Sequence, residues 1–137
     1  MKIFLDANIL VSVVNEEYPV YSYSARLLSL ARSSKFKICT SPLSLGIAFY
    51  YAEKKNRRNA REKINILAGN LFVTNMNQHV VAETIKNKEI HDFEDGLQYY
   101  SAIDSGCKCI VTEDRGDFYF SKIEILSSRE FLENHVF

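Results

Sequence analysis

Three carboxylates fall within five positions of the stretch CIVTEDRGDF (109–118): Glu113, Asp114 and Asp117. Like charges this close repel, so either water solvates the loop or something cationic belongs beside it. Two further places carry acids in suggestive company. Asp6 closes the apolar run KIFLD, and Asp92 and Asp95 lie one helical turn apart in HDFEDGLQYY, on one face. Carboxylates within about 4–6 Å raise each other's pKa unless a cation compensates. Oxygen-only donor sets suit hard divalent cations such as Mg²⁺, which keep several waters and bind through one or two carboxylates plus substrate phosphate. Such ions generate a hydroxide nucleophile and stabilise the leaving oxygen of a phosphodiester. If the fold gathers Asp6, Asp95, Asp114 and Asp117, the chemistry that fits is metal-assisted hydrolysis. No His/Cys cluster suits zinc, and no Gly-rich phosphate loop is present.

Each acid also has a purely structural use. Asp6 precedes a helical segment, where an N-cap accounts for an aspartate by itself, and Asp92 suits the same role one element later. Asp95 falls in a first turn, which the macrodipole favours, beside Phe93, Leu97 and Tyr100, which read as buried. Glu94 and Glu113 are assigned to solvent. Co-location, rather than any single residue, carries the chemical reading.

The elements that must position these acids alternate. KIFLD (2–6) reads as a strand and ANILVSVVN as a buried helix. Residues 21–34 carry a helical apolar stripe of Ala25, Leu27, Leu28, Leu30 and Ala31. FKICT (36–40) is a second strand, after which Ser41-Pro42 starts a helix with proline in its first turn. Residues 57–68 are amphipathic and stop at Gly69. LFVTN (71–75) is a third strand and 77–88 a helix. His91-Asp92 opens another helix that runs to Asp104 and ends at Gly106. CKCIVT (107–112) and KIEIL (122–126) complete five strands, and a last helix starts at Ser127 or Ser128 with Glu130 near the capping-box position. Short apolar strands alternating with helices predict a three-layer α/β/α domain with a mainly parallel five-stranded sheet, read as one domain over 1–137. In such sheets function sits beyond the carboxyl ends of the strands.

Composition sets the outer bounds. Hydrophobic residues make up 47% and charged residues 25%, ordinary for a globular domain. Lys plus Arg and Asp plus Glu both number 17, so bulk charge singles out no partner and recognition must be local. No apolar run reaches the roughly 18 residues of a membrane span, and no signal peptide is expected. Cys39, Cys107 and Cys109 lack zinc-ligand spacing and read as buried thiols, consistent with the cytoplasm.

Four segments together resemble the PIN-domain family of Mg²⁺/Mn²⁺-dependent ribonucleases, which includes the toxin nucleases of toxin–antitoxin pairs. They are FLDANIL, SPLSLGIAFYYAEKK, HDFEDGLQYYSAIDSG and CIVTEDRGDF, and they span nearly the whole chain. The resemblance implies that Asp6, Asp95 and Asp114 are metal ligands for Mg²⁺ or Mn²⁺ and that Asp117 joins them in catalysis. Asn8 and Thr112 match positions that support the site through hydrogen bonds. It further implies an RNA substrate, single-stranded by preference, a small antitoxin covering the acidic groove, and a homodimer.

One position departs from the family pattern. Members with a full acidic quartet carry a Glu early in the helix after the second strand, and the matching place here is Ile47. Glu53 lies about 9 Å further along and rotated by roughly 240°, a poor substitute. Asp92, sharing a face with Asp95, compensates in part. Two readings therefore stay open: a metal-dependent endoribonuclease, or a weak or inactive PIN module that binds RNA or a protein. A third, a receiver or phosphatase using Asp6 for phosphoryl transfer, fits less well, because Asp6-Ala7-Asn8 lacks the second aspartate of a phosphatase pair. For RNA, Lys54, Lys55, Arg57, Arg58, Arg61 and Lys63 form the richest basic stretch, and Tyr99 and Tyr100 are candidates for base stacking, although core packing explains them better. The tyrosine-rich stretch 16–24 reads as a loop, either an interface or a rim of the substrate groove.

Overall fold

A computed structural model describes residues 1–137. In chain order the elements are β1 (Lys2–Leu5), α1 (Ala7–Val14), α2 (Val20–Ser29), β2 (Lys37–Thr40), α3 (Pro42–Lys55), α4 (Ala60–Gly69), β3 (Phe72–Val73), α5 (Gln78–Lys86), α6 (Phe93–Asp104), β4 (Cys109–Val111), β5 (Glu124–Leu126) and α7 (Ser128–His135). Short 3₁₀ turns occupy Leu30–Arg32 and Arg115–Phe118. All neighbouring strands pair in parallel, in the order β3-β2-β1-β4-β5. From the central β1 the chain winds one way through β2 and β3, then returns to lay β4 and β5 on the other side. The carboxyl ends of β1 and β4 therefore flank the point where the winding reverses, the usual place for a binding crevice in an open α/β sheet.

Period-two alternation divides the strands between two cores. Ile3 and Leu5 join Ile38, Cys109, Val111 and Leu126 beneath a layer drawn from α1, α2, α3, α4 and α7, where Phe131 of α7 is fully buried. Phe4, Cys39 and Ile110 face the opposite way, against Tyr99 and Ala102 of α6 and Phe118 and Phe120. The expected three layers are present. All three cysteines are free and buried, and no helix is long and apolar enough to cross a membrane.

Local chemistry sets the helix starts. Ser41 caps α3 by accepting from the Ser44 backbone N–H, with Pro42 in the first turn. Ser127 and Glu130 form a capping box on α7. Gly106, at φ +79°, closes α6 in a backbone region costly for any residue with a Cβ. Gly96 serves contact instead. A Cβ there would lie 2.5 Å from Thr84 Cγ2, so its absence lets α5 and α6 approach closely.

Strands are shorter at their ends than the apolar runs suggest, most visibly β3, which keeps two residues. The helix expected from the stripe over 21–34 is present and already starts at Val20, so the loop expected over 16–24 is confined to residues 16–19. Ser24 is fully buried, bonded through its hydroxyl to Ser12 at 2.8 Å, and Leu27 inserts into the core, so tertiary contact organises a polar, tyrosine-rich segment.

Candidate active site

A cleft of about 430 Å³ opens at the β1/β4 switch, lined by Asp6, Ala7, Asn8, Val11, Glu17, Ile47, Tyr51, Asp92, Glu94, Asp95, Asp114 and Asp117. Seven of these are carboxylates and none is lysine or arginine. The four aspartates singled out in the sequence, far apart along the chain, share one cavity.

The β1/β4 side is knitted by hydrogen bonds. The Asp6 N–H donates to the Val111 carbonyl at 3.0 Å, continuing the ladder past the ends of both strands. Asp6 Oδ1 accepts from Ala7 N at 2.8 Å as the cap of α1, and Oδ2 accepts from Thr112 Oγ1 at 2.9 Å. Capping and cleft-lining are thus one placement rather than rival explanations. The Asn8 amide nitrogen donates to Thr112 Oγ1 at 3.0 Å and Asp114 Oδ2 at 3.2 Å, while Asn8 Oδ1 accepts from the Glu113 N–H at 3.2 Å. Thr112 Oγ1 also accepts from Asp114 N at 3.0 Å. Asn8 and fully buried Thr112 therefore fix where the two acids point.

The α6 side is held differently. Asp92 caps the helix by accepting from Asp95 N at 3.2 Å, and no donor reaches the Asp95 carboxylate. This end is anchored through backbone: Tyr119 Oη accepts from His91 N at 3.1 Å, donates to the Glu89 carbonyl, and its ring stacks on His91. Deeper in, Gln98 lies buried between Ser41 and Ser44, donating to Ser44 Oγ at 2.6 Å and accepting from Ser41 Oγ, which ties α6 to the start of α3.

Electrostatics follow from this arrangement. Burial pushes Asp6 up to about 6, against the lowering effect of its Thr112 and Ala7 donors, with Asp114 and Asp117 adding repulsion. Burial and then the charges of Asp92, Asp117, Asp6 and Glu94 push Asp95 up to about 7. A divalent cation between such carboxylates would favour their ionised forms. No three close in as a ready-made ligand cage, yet the all-oxygen donor set matches Mg²⁺ or Mn²⁺, whose remaining positions water and substrate phosphate complete.

Several expectations need amendment. Glu113 is exposed, as expected, but its carboxylate is not free. Its Oε1 accepts from Ser128 N at 3.1 Å and from Ser128 Oγ, and with the Arg115–Glu130 ion pair at 3.1 Å it fastens the acidic loop to α7. Glu94 is exposed but belongs to the cleft wall. Phe93 is 50% exposed rather than buried, because it opens the first turn of α6 on the outer face. Tyr99 is buried with its hydroxyl accepting from Lys122 N, and Tyr100 is partly buried with its hydroxyl taken by Asn87, so neither is free to stack a base. Lys55 donates to the Asn15 carbonyl and Lys63 to that of Val14 at 2.8 Å, both satisfying the end of α1. Lys54, Arg57, Arg58 and Arg61 are exposed. Ile47 does face the acids, and Glu53 does not line the cleft. Glu17, from the α1–α2 turn within the stretch 16–24 expected at an interface or groove rim, lines the cleft, although nothing local singles it out from other surface glutamates.

Comparison with known proteins agrees with this picture. The PIN domain model matches residues 2–116. Over 136 residues the chain is 29% identical to Ribonuclease VapC1 of Aquifex aeolicus (strain VF5), covering 96% of this chain and 94% of that one. Among solved structures, VapBC2 from Rickettsia felis, bound to a DNA fragment from the promoter, superposes with a TM-score of 0.71 at 21% identity, covering 93% of this chain and 98% of the other. Mycobacterium tuberculosis VapC20, a Sarcin-Ricin loop cleaving toxin, gives a TM-score of 0.63 at 16% identity over 79% and 86% of the two chains. At these identities the solved structures speak for the fold.

Proposed function

The chain belongs to the PIN-domain family, and from that premise we propose that it is a Mg²⁺- or Mn²⁺-dependent endoribonuclease acting as the toxin of a toxin–antitoxin pair. The observation that carries this reading is the cleft, lined by no lysine or arginine, in which Asp6, Asp95, Asp114 and Asp117 meet at the sheet's switch point. Its likeness to a relative named a ribonuclease, and to a toxin that cleaves the Sarcin-Ricin loop, supports RNA as the substrate. The likeness to VapBC2 supports a small antitoxin as partner.

Asp6, Asp95 and Asp114 would hold the ion. When bound, it supplies a Lewis acid for the phosphate oxygens and lowers the pKa of water. The protein's own contribution is orientation. Thr112 and Asn8 hold Asp6 Oδ2 and Asp114 Oδ2 in fixed directions before substrate arrives, a role that typically carries 10–100-fold in metal affinity or activity. Asp117, on the turn just past Asp114, orients the attacking water. Carboxylates on every wall repel a bare phosphate backbone, so substrate affinity depends on the ion and on groups outside the cleft.

Ile47 favours a second reading. Where the family's fuller sites carry a glutamate, this cleft has an apolar wall, which suits a weak nuclease or a PIN module that binds without cleaving. Cleavage of a mixed RNA pool with and without Mg²⁺ or Mn²⁺, with Asp6→Asn as control, tests the first reading. Metal-dependent cutting lost in the variant supports the endoribonuclease. Absence of both cutting and calorimetric metal binding supports the non-catalytic module.

A further inference from the structure

Beside the acidic cleft, and sharing Ile47, Tyr51 and Glu94 with it, lies a second hollow of about 490 Å³ lined also by Pro42, Leu43, Gly46 and Tyr50. Its floor is α3. Leu43, Ile47 and Tyr51 form one row at four-residue spacing, and Gly46, Tyr50 and Lys54 form the next. Tyr50 and Tyr51 are 52% and 45% exposed, their rings edge to face at 5.2 Å, an unusual amount of aromatic surface to leave in water.

Gly46 has no packing reason to be glycine. A Cβ there would meet nothing within 4 Å, although glycine inside a helix costs roughly 0.5–1 kcal/mol relative to alanine. What the missing side chain leaves is depth in the hollow.

The aromatic floor is rigidly placed and flanked by positive charge. Asn15 Nδ2 donates to the Tyr51 carbonyl at 3.2 Å, and Lys55 reaches the Asn15 carbonyl, pinning this part of α3 to α1. Lys54 Nζ lies 4.8 Å from the Tyr50 ring centre, and exposed Arg57, Arg58 and Arg61 follow. Aromatic faces beside cations are how proteins hold unpaired nucleic acid, bases stacking on rings while basic groups follow the backbone. Carboxylates on one side and cations on the other give a strand a direction: scissile phosphate in the cleft, neighbouring base in the hollow, backbone running toward the α3–α4 junction.

We propose that Tyr51 and the hollow over Gly46 form a base-stacking subsite, which selects single-stranded RNA with an unpaired nucleotide next to the phosphate at the acidic cleft. This rests on the ribonuclease reading, but its test does not use cleavage. Fluorescence anisotropy with Asp95→Asn protein and Mg²⁺ compares an end-labelled oligouridine with an abasic ribose-phosphate strand of equal length. The oligouridine binds roughly tenfold more tightly than the abasic strand. Gly46→Leu removes that difference while leaving abasic affinity unchanged, Tyr51→Ala removes it too, and Tyr51→Phe retains it. Gly46→Leu, entering open space, tests the hollow even if Tyr51→Ala fails to fold.

Equal affinity for the two strands, or an undiminished preference in Gly46→Leu, overturns the proposal. So does a drop in sedimentation mass on either substitution, which would make α3 an interface between two copies of the chain. If the unsubstituted protein cleaves RNA but the Asp95→Asn protein shows no preference for oligouridine, the subsite alone falls. If the preference is present yet the unsubstituted protein never cleaves, the subsite stands and the nuclease reading falls.

Discussion

The two walls of the acidic cleft are built on different principles. On the β1/β4 wall, Asp6 and Asp114 are embedded in a hydrogen-bond lattice with Asn8 and Thr112, and both Asp6 oxygens and Asp114 Oδ2 have a donor that fixes their direction. On the α6 wall, Asp95 has neighbours of its own charge and no donor, and its position is inherited from the helix beneath it. The first wall is oriented before anything binds. The second is a cluster of repelling charges that a bound cation would relieve. Substitutions on the two walls should therefore fail in different ways.

The largest effect is expected on the ordered wall. Asp6→Asn removes a carboxylate charge while keeping the cap oxygen, and on the proposed reading metal-dependent RNA cleavage should fall to background with the circular dichroism spectrum unchanged. Full activity in this variant would place the chemistry elsewhere. Next, Asn8→Ala and Thr112→Val should each reduce cleavage or Mn²⁺ affinity by about 10–100-fold, measured by titration calorimetry and initial rates. A loss below twofold in both would mean that the lattice orients nothing that matters.

Smaller changes sharpen the contrast. Ile47→Glu adds an acid opposite Asp95, and Mn²⁺ affinity should rise several-fold while the metal-free protein loses stability. The smallest effect concerns Asp95→Asn. Asp95 is raised from 3.8 to about 7, so between those values the folded state binds more protons than the unfolded chain and stability falls as pH rises. Removing the charge should raise the Tm of the metal-free protein by a few degrees at pH 8 and leave it unchanged near pH 4. Thr112→Val, which deletes partners instead of repulsion, should lower Tm at pH 8. A shared sign for these two variants would erase the distinction between the walls.

What was legible in the sequence follows the same division. Asp6, Asp95, Asp114 and Asp117 could be gathered from their places at strand and helix boundaries, because a parallel α/β sheet leaves few other arrangements. Asn8 and Thr112 were recoverable from the family resemblance. Side-chain environments set by packing were not. Tyr99 and Tyr100 look like Tyr50 and Tyr51 as adjacent aromatic pairs, yet the first pair turns mainly inward from α6 and the second stands in water on α3. Lys55 and Lys63 read as part of a basic patch but cap carbonyls of α1, since only the folded chain brings those helices together. Glu113 is exposed as expected, but its tie to Ser128 was not legible because that partner lies beyond a whole strand.

That last contact has a dynamic consequence. Glu113 and Arg115 are both fastened to the first turn of α7, and Asp114 is the link between them. A helix that contributes no acid to the cleft thus holds the acidic loop from either side. When α7 frays at its start, both tethers slacken together, so amide hydrogen exchange over residues 114–117 should rise and fall with that of Ser128–Glu130 rather than with the neighbouring strand.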